Sequence, residues 1–229
     1  LRREDDHLLA QKDKLLNQAS GLIGYLGFLA ACTLQVPLGE LSRPALGHWV
    51  GLVEKALAAD GVDWPFAEFR GLIPDPGAFV LHLKELVRLR NDVGHGAAPE
   101  EGSVLHEWVK KMAAAVHTAY RDLLFLTRYA LVSVEDMDYR DGRFVLGMRR
   151  LQGAGEPGPA VPVVLPQPHG KGKVYFASDD FAHMLCLSPF VVQARCPLCS
   201  LTELFFYVSA NGPERRYVTP DRGHSWSCS

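Results

Sequence analysis

The spacing of apolar residues changes near residue 132 of this 229-residue chain, and that change limits the fold more than any other feature. Before it, apolar side chains recur every three to four positions, the period of an α-helix. After it, short alternating segments are separated by Gly and Pro, as in β-hairpins. The sequence therefore predicts an α+β protein of two modules, residues 1–132 and residues 133–229.

The first module is expected to be an antiparallel bundle of four long helices. Helical spacing covers residues 5–35, 42–61, 75–94 and 99–131, with residues 64–72 as a short connector. Ser42 would be the N-cap of the second helix. No apolar run reaches the roughly 18–20 residues that cross a bilayer, so the most apolar helix is expected to be buried and no membrane partner is predicted.

The second module is expected to be small and rich in strands. Asp141-Gly142 is a hairpin turn signal between strands at residues 134–139 and 143–149. The other predicted strands cover residues 174–176, 191–195, 204–208 and 216–219. The segment 153–168 is rich in Gly and Pro and is expected to form a loop.

The net charge of −2 disfavours a protein that coats nucleic acid by bulk electrostatics, but it leaves room for a local site. The sequence has no Walker loop, nucleophile elbow or dinucleotide fingerprint. A chain that starts at Leu1 is expected to be part of a longer protein with upstream domains.

A short motif at the end of the third helix carries the clearest chemistry. Residues 90–95 read RNDVGH, in which four residues separate the permanent cation of Arg90 from the titrating ring of His95, next to glycines. Such a pair can hold a phosphodiester and move a proton on it without a metal. The spacing by itself is equally typical of an ordinary helix end, where the dipole favours an imidazolium.

The same motif, following an amphipathic helix inside an apparent four-helix bundle, resembles the signature of the HEPN superfamily. The resemblance extends over residues 5–132 in architecture, and its specific part is Arg90, Asn91 and His95. Many members of that superfamily are metal-independent endoribonucleases of toxin–antitoxin and antiviral defence systems. They usually dimerise so that two motifs form one composite site.

The resemblance implies an endoribonuclease that cleaves RNA, with tRNA among the candidate substrates, and leaves a 2′,3′-cyclic phosphate. His95 would be the general acid/base, Arg90 would bind the scissile phosphate, and Asn91 would orient the substrate. Asp92 has no assigned role and would pair with Arg88 or Arg90, or cap the helix. The alternative is a catalytically inactive HEPN-like module that dimerises or recognises a partner within a larger defence protein.

Four of the five cysteines lie in the last quarter of the chain, at positions 186, 196, 199 and 228. Cys196 and Cys199 form a Cys-x-x-Cys knuckle, and His224 and Cys228 have a spacing that completes a tetrahedral Cys3His site for structural zinc. A vacant knuckle, or Cys186 in place of His224 or Cys228, is left open. Clustered cysteines suit a reducing compartment, so a cytoplasmic location is expected.

A third hypothesis is that the strand-rich module recognises nucleic acid or a peptide. Its sequence offers no basic patch beyond Arg215, Arg216 and Arg222. The aromatic run at residues 205–207 is better explained by alternating burial in a sheet than by base stacking.

Overall fold

A computed structural model describes residues 2–94, 102–151, 158–220 and 222–228. The chain divides into two compact units, which are described separately. The helical unit comprises Leu1–Leu34 and Ala45–Phe125, and the strand unit comprises Gln35–Pro44 and Leu126–Ser229. The predicted α+β class is confirmed, because helices come first along the chain and antiparallel sheets follow.

The described part of the helical unit contains five α-helices. They are α1 (Arg2–Thr33), α2 (Leu46–Ala58), α3 (Phe66–Leu72), α4 (Pro76–Gly94) and α5 (Gly102–Asp122). Helix α1 packs against α2, α4 and α5, and α4 also packs against α2 and α5. Each buries an apolar stripe; that of α4 consists of Phe79, Val80, Leu83, Leu86 and Leu89.

Helices α1 and α2 lie close together at Gly27. A Cβ atom at this position would lie 2.6 Å from Cβ of Trp49. Phe28 adds an edge-on contact with the Trp49 ring, at 5.1 Å between centroids. The glycine therefore allows the backbone of α1 to lie directly on the Trp49 side chain.

The structure corrects the ends of two helices. Ser42 is not the N-cap of α2, which begins at Leu46, and the backbone N–H of Ala45 instead donates to Nδ1 of His48. Helix α5 ends at Asp122, so Leu131, which the helical spacing placed on its stripe, lies in a β-strand. Ser42 and Leu131 both lie in segments that belong to the strand unit.

By length and composition, part of α1, residues 6–33, could cross a membrane. In the most apolar stretch of this segment 56% of the residues are buried. A core helix of a soluble protein and a signal sequence both have these properties, so a single such helix is weak evidence for a membrane span.

The described residues of the strand unit form two antiparallel sheets. The first has the order β3-β2-β1-β4-β5 and the second the order β6-β7-β8-β9. The strands of the first sheet are β1 (Tyr129–Arg140), β2 (Arg143–Arg150), β3 (Val161–Leu165), β4 (Val174–Ser178) and β5 (Met184–Cys186). Those of the second are β6 (Val191–Arg195), β7 (Thr202–Asn211), β8 (Glu214–Val218) and β9 (Ser225–Cys228).

The hairpin predicted at Asp141-Gly142 is confirmed. Arg140 pairs with Arg143 across the turn, and Asp141 and Gly142 both have positive φ, as a type I′ turn requires. The predicted loop at residues 153–168 is wrong over Val161–Leu165, which form β3. This strand lies at the edge of its sheet, where the ladder tolerates Pro162.

The segment Gln35–Pro44 belongs to the strand unit although it lies between two helices in the sequence. The Tyr207 hydroxyl donates to the Leu41 carbonyl at 2.7 Å, and the Ala210 N–H donates to the Ser42 carbonyl at 2.7 Å. Residues 126–132, expected in the helical module, also lie in the strand unit.

Candidate functional sites

Two of the three motif residues lie on the last turns of α4. The side chains of Arg90 and Asn91 are exposed, whereas Leu89 is buried in the core. His95 lies outside the described residues. The helix therefore presents Arg90 and Asn91 to solvent, five and four positions before the histidine in the sequence.

Arg88, two positions before Arg90, is neutralised by its neighbours. It donates two hydrogen bonds of 2.7 Å to Glu85 and one of 3.2 Å to Asp92. The bonds from Arg88 hold the pKa of the Glu85 carboxyl below its usual range. Asp92 therefore pairs with Arg88, one of the alternatives that the sequence left open.

Arg90 differs from its neighbouring cations. Lys84 forms an ion pair of 2.9 Å with Glu54, and Arg88 is paired as described. Among the residues that the structure describes, Arg90 has no carboxylate within ion-pair distance. Within the described ranges no carboxylate therefore competes with an anionic ligand for its guanidinium.

The second candidate site is a group of side chains in the strand unit. Cys196, Cys199, Glu203 and His224 place their ligand atoms within 4.8 Å of one another, an arrangement that could hold a metal ion. Sγ of Cys196 lies 3.3 Å from Nδ1 of His224, and the same nitrogen lies 3.1 Å from Oε2 of Glu203. Cys196 is 1% exposed, so the group is anchored in the interior of the unit.

The turn at residues 196–201, the first knuckle, connects β6 to β7. The Cys196 N–H donates to the Leu201 carbonyl at 2.7 Å, and the Ser200 N–H donates to the Cys196 carbonyl at 2.9 Å. Ser200 has a φ of 62°, which closes the turn. Burial raises the pKa of the Cys196 thiol, and hydrogen bonds from the backbone N–H groups of Cys199 and Leu198 oppose that effect.

The turn that carries His224, the second knuckle (residues 219–224), repeats these hydrogen bonds. The Thr219 N–H donates to the His224 carbonyl at 2.9 Å, and the Gly223 N–H donates to the Thr219 carbonyl at 3.1 Å. The φ of Gly223, 64°, matches that of the equivalent Ser200. Thr219 and Arg222 therefore occupy the positions that the two cysteines have in the first knuckle.

Glu203 supplies the ligand atom that the second knuckle lacks. Its Oε2 faces His224, and its Oε1 lies 3.4 Å from Nη1 of Arg222. Burial would raise the pKa of Glu203, but hydrogen bonds from Cys196, His224 and Cys199 outweigh it and hold that pKa below its ordinary value. The carboxylate is therefore ionised at neutral pH, the form that binds a metal.

The other cysteines of the strand unit lie apart from this group. Cys228, the predicted fourth ligand, pairs with Arg215 across the β8–β9 ladder. Cys186 on β5 pairs with Tyr175, and its thiol donates to the Ser188 carbonyl at 3.8 Å. Of the predicted set, the structure brings together Cys196, Cys199 and His224, with Glu203 in the place predicted for Cys228.

The geometry suits a tetrahedral ion. With Zn–S near 2.3 Å and Zn–N near 2.0 Å, tetrahedral zinc separates sulfur from nitrogen by about 3.5 Å. The Cys196–His224 distance of 3.3 Å is close to that value. Two thiolates and one carboxylate would leave a zinc site with one negative charge, which the neighbouring Arg222 offsets.

A signal for Glu203 was present in the sequence. Glu203, Phe205 and Tyr207 alternate along β7, and the two aromatic residues are buried. A carboxylate on the buried face of a strand needs a partner, and Glu203 lies four residues after Cys199.

Comparisons with protein-family models, with curated proteins and with solved structures found no match.

Proposed function

We propose that the chain is a metal-independent endoribonuclease of a bacterial defence or toxin-type system, with Arg90, Asn91 and His95 as its site. The proposal assigns α1, α2, α4 and α5 to a HEPN-like four-helix bundle, as the sequence motif implies. The observation that carries it is the exposed side chain of Arg90, which has no carboxylate within ion-pair distance among the described residues, beside Arg88, which is paired with Glu85 and Asp92.

In this proposal His95 accepts the proton of a ribose 2′-hydroxyl, and the resulting oxygen attacks the adjacent phosphorus. Arg90 stabilises the charge that develops on the phosphoryl oxygens, and Asn91 orients the substrate. The 5′-oxygen leaves with a proton from a second copy of the motif, since two chains would form one composite site. The products carry a 2′,3′-cyclic phosphate and a 5′-hydroxyl.

The proposal is tested by RNA cleavage with Arg90→Ala and Arg88→Ala. Removing Arg90 should lower the cleavage rate by about 10²–10³-fold, since a charge-stabilising donor is lost. Arg88→Ala is the matched control: its exposed ion pairs contribute less than about 1 kcal/mol, so the fold and the rate should both be retained. Equal rates for Arg90→Ala and wild type would contradict the proposal.

We also propose that Cys196, Cys199, Glu203 and His224 bind a structural zinc ion. Their placement on β7 and on two turns supports this assignment, since one ion would join both hairpins of the second sheet. Such an ion would stabilise a small unit with a limited core. Thiolate ligands require a reducing environment, which supports a cytoplasmic location.

A further inference from the structure

A cleft of about 460 Å³ lies in the strand unit, lined by residues of both sheets. Its volume is within the range of about 300–1,000 Å³ that is typical of ligand sites. The polar side chains that line it are Glu135, Arg149, Lys171, Gln193, Arg195 and Thr202. Neither the metal group nor the Arg90 motif contributes to this lining.

Among the described residues that line this cleft there are three cations and one carboxylate. Arg149 comes from β2, Arg195 from β6 and Lys171 from the turn before β4, so the positive charge is distributed over both sheets. Lys171 forms an ion pair of 3.5 Å with Asp136, but both side chains are more than two thirds exposed and the pair is weak. The cleft therefore keeps an excess of positive charge.

Arg149 is placed beside Glu135 and has a donor nitrogen, Nε, that makes no hydrogen bond among the described residues. Its Nε is buried and lies 3.5 Å from Oε1 of Glu135 without forming a hydrogen bond. The same Glu135 oxygen accepts a hydrogen bond of 2.6 Å from the Ser133 hydroxyl. Glu135 is thus fixed and positions the guanidinium at the wall of the cleft.

Arg195 is positioned by the first knuckle. Its Nε donates to the Ser200 carbonyl at 3.2 Å, which leaves its terminal nitrogens available. Arg195 and Thr202 pair across the β6–β7 ladder, so both stand at the base of the turn that carries Cys196 and Cys199. A guanidinium fixed in this way can bind phosphate with two parallel hydrogen bonds.

We propose that this cleft binds phosphate groups of RNA. The choice of RNA rests on the proposed function, whereas the preference for phosphate follows from the three cations. Among the described residues that line the cleft none is aromatic, so bases are not stacked there and recognition is independent of base sequence.

The test uses protein carrying His95→Ala, to prevent cleavage, and a fluorescein-labelled octauridylate followed by anisotropy. Arg149→Ala and Lys171→Glu should each raise Kd about tenfold and lower the salt dependence of binding by about 0.7 per lost phosphate contact. Arg150→Ala is the matched control, because Arg150 adjoins Arg149 on β2 and pairs with Asp179. Its Kd should stay within about twofold of the parent value.

Competition by uridine monophosphate separates the two sources of phosphate. If uridine monophosphate displaces the labelled octauridylate at a concentration similar to that of the octamer, the ligand is a free nucleotide. If it displaces the octamer only at much higher concentrations, the ligand is an RNA strand. Both results support the phosphate site. No measurable binding by the parent protein, or equal affinity of Arg149→Ala, Lys171→Glu and Arg150→Ala, overturns the inference. Lys171 is 69% exposed, so its replacement decides the matter even where Arg149→Ala fails to fold.

The two proposals fail separately. RNA cleavage that Arg90→Ala leaves unchanged overturns the ribonuclease site and removes the reason for choosing RNA, whereas phosphate binding at the cleft is still decided by the affinities of the cleft variants. Cleavage that depends on Arg90, together with cleft variants of unchanged affinity, overturns only the cleft.

Discussion

Glu203 is a carboxylate on the buried face of β7, with its side chain only 12% exposed. A buried carboxylate is costly unless charge partners and hydrogen bonds compensate for its lost hydration. His224 and Arg222 provide that compensation, one at each oxygen. A metal ion held by Glu203 and the two neighbouring thiols would provide a stronger partner at the same point.

Replacing Glu203 and Cys228 in separate variants shows which of the two is the fourth zinc ligand. Glu203→Gln should lower zinc affinity by at least about tenfold, because a charged ligand becomes a neutral amide. Cys228→Ser should retain about one zinc per chain, since Cys228 lies outside the group. Metal content after dialysis measures both, and loss of zinc in Cys228→Ser with retention in Glu203→Gln would favour the ligand set predicted from spacing.

Single residues differ in how well the sequence predicts them. Cys196 and Cys199 are recognisable because both ligands lie in one turn whose geometry is local. Cys228 was chosen from its spacing to His224, and it is not among the four residues whose ligand atoms converge; it pairs with Arg215 across the β8–β9 ladder. The role of Glu203 depends on where the second knuckle meets β7, a non-local contact that no spacing rule contains.

At the scale of elements, the α1–α2 contact depends on Gly27. Gly27→Ala would place a Cβ atom 2.6 Å from Trp49, and we expect it to destabilise the helical unit by about 1–3 kcal/mol. Gly21→Ala is the control on the same helix: a Cβ there meets nothing within 4 Å, so stability should rise by about 0.5–1 kcal/mol. The free energy of unfolding in urea measures the effect of both substitutions. Equal effects of Gly27→Ala and Gly21→Ala would show that the α1–α2 contact is not tightly packed.

The helices and the first hairpin could be predicted because their signals are local: apolar periodicity, Asp75 before Pro76, and Asp141-Gly142. The Asp75 carboxylate does accept from the Ala78 N–H at 2.9 Å at the start of α4. Strand β3 could not be predicted, because the segment that contains this edge strand is rich in Pro and Gly, which are typical of a loop. The membership of Gln35–Pro44 in the strand unit could not be predicted either, because it depends on hydrogen bonds to β7, a strand more than 150 residues later.

At the scale of the whole chain, the two units should respond differently to metal removal. Chelation should lower the unfolding temperature of the strand unit, because binding energy that favours its native state is lost. The helical unit, which contains none of the proposed ligands, should keep its circular dichroism at 222 nm and its own transition. Calorimetry with and without chelator checks this by following the unfolding transitions of the two units. A scan that chelator leaves unchanged would contradict a structural role for zinc.

We propose that Arg90, Asn91 and His95 cleave RNA without a metal. The most direct measurement is the chemistry of the product ends, after incubation of RNA with the protein in excess chelator. Wild type should produce 2′,3′-cyclic phosphate ends, and His95→Ala should produce at least about 10²-fold fewer, because the general acid/base is removed. Equal amounts of such ends from wild type and His95→Ala, or none from either, would contradict the account.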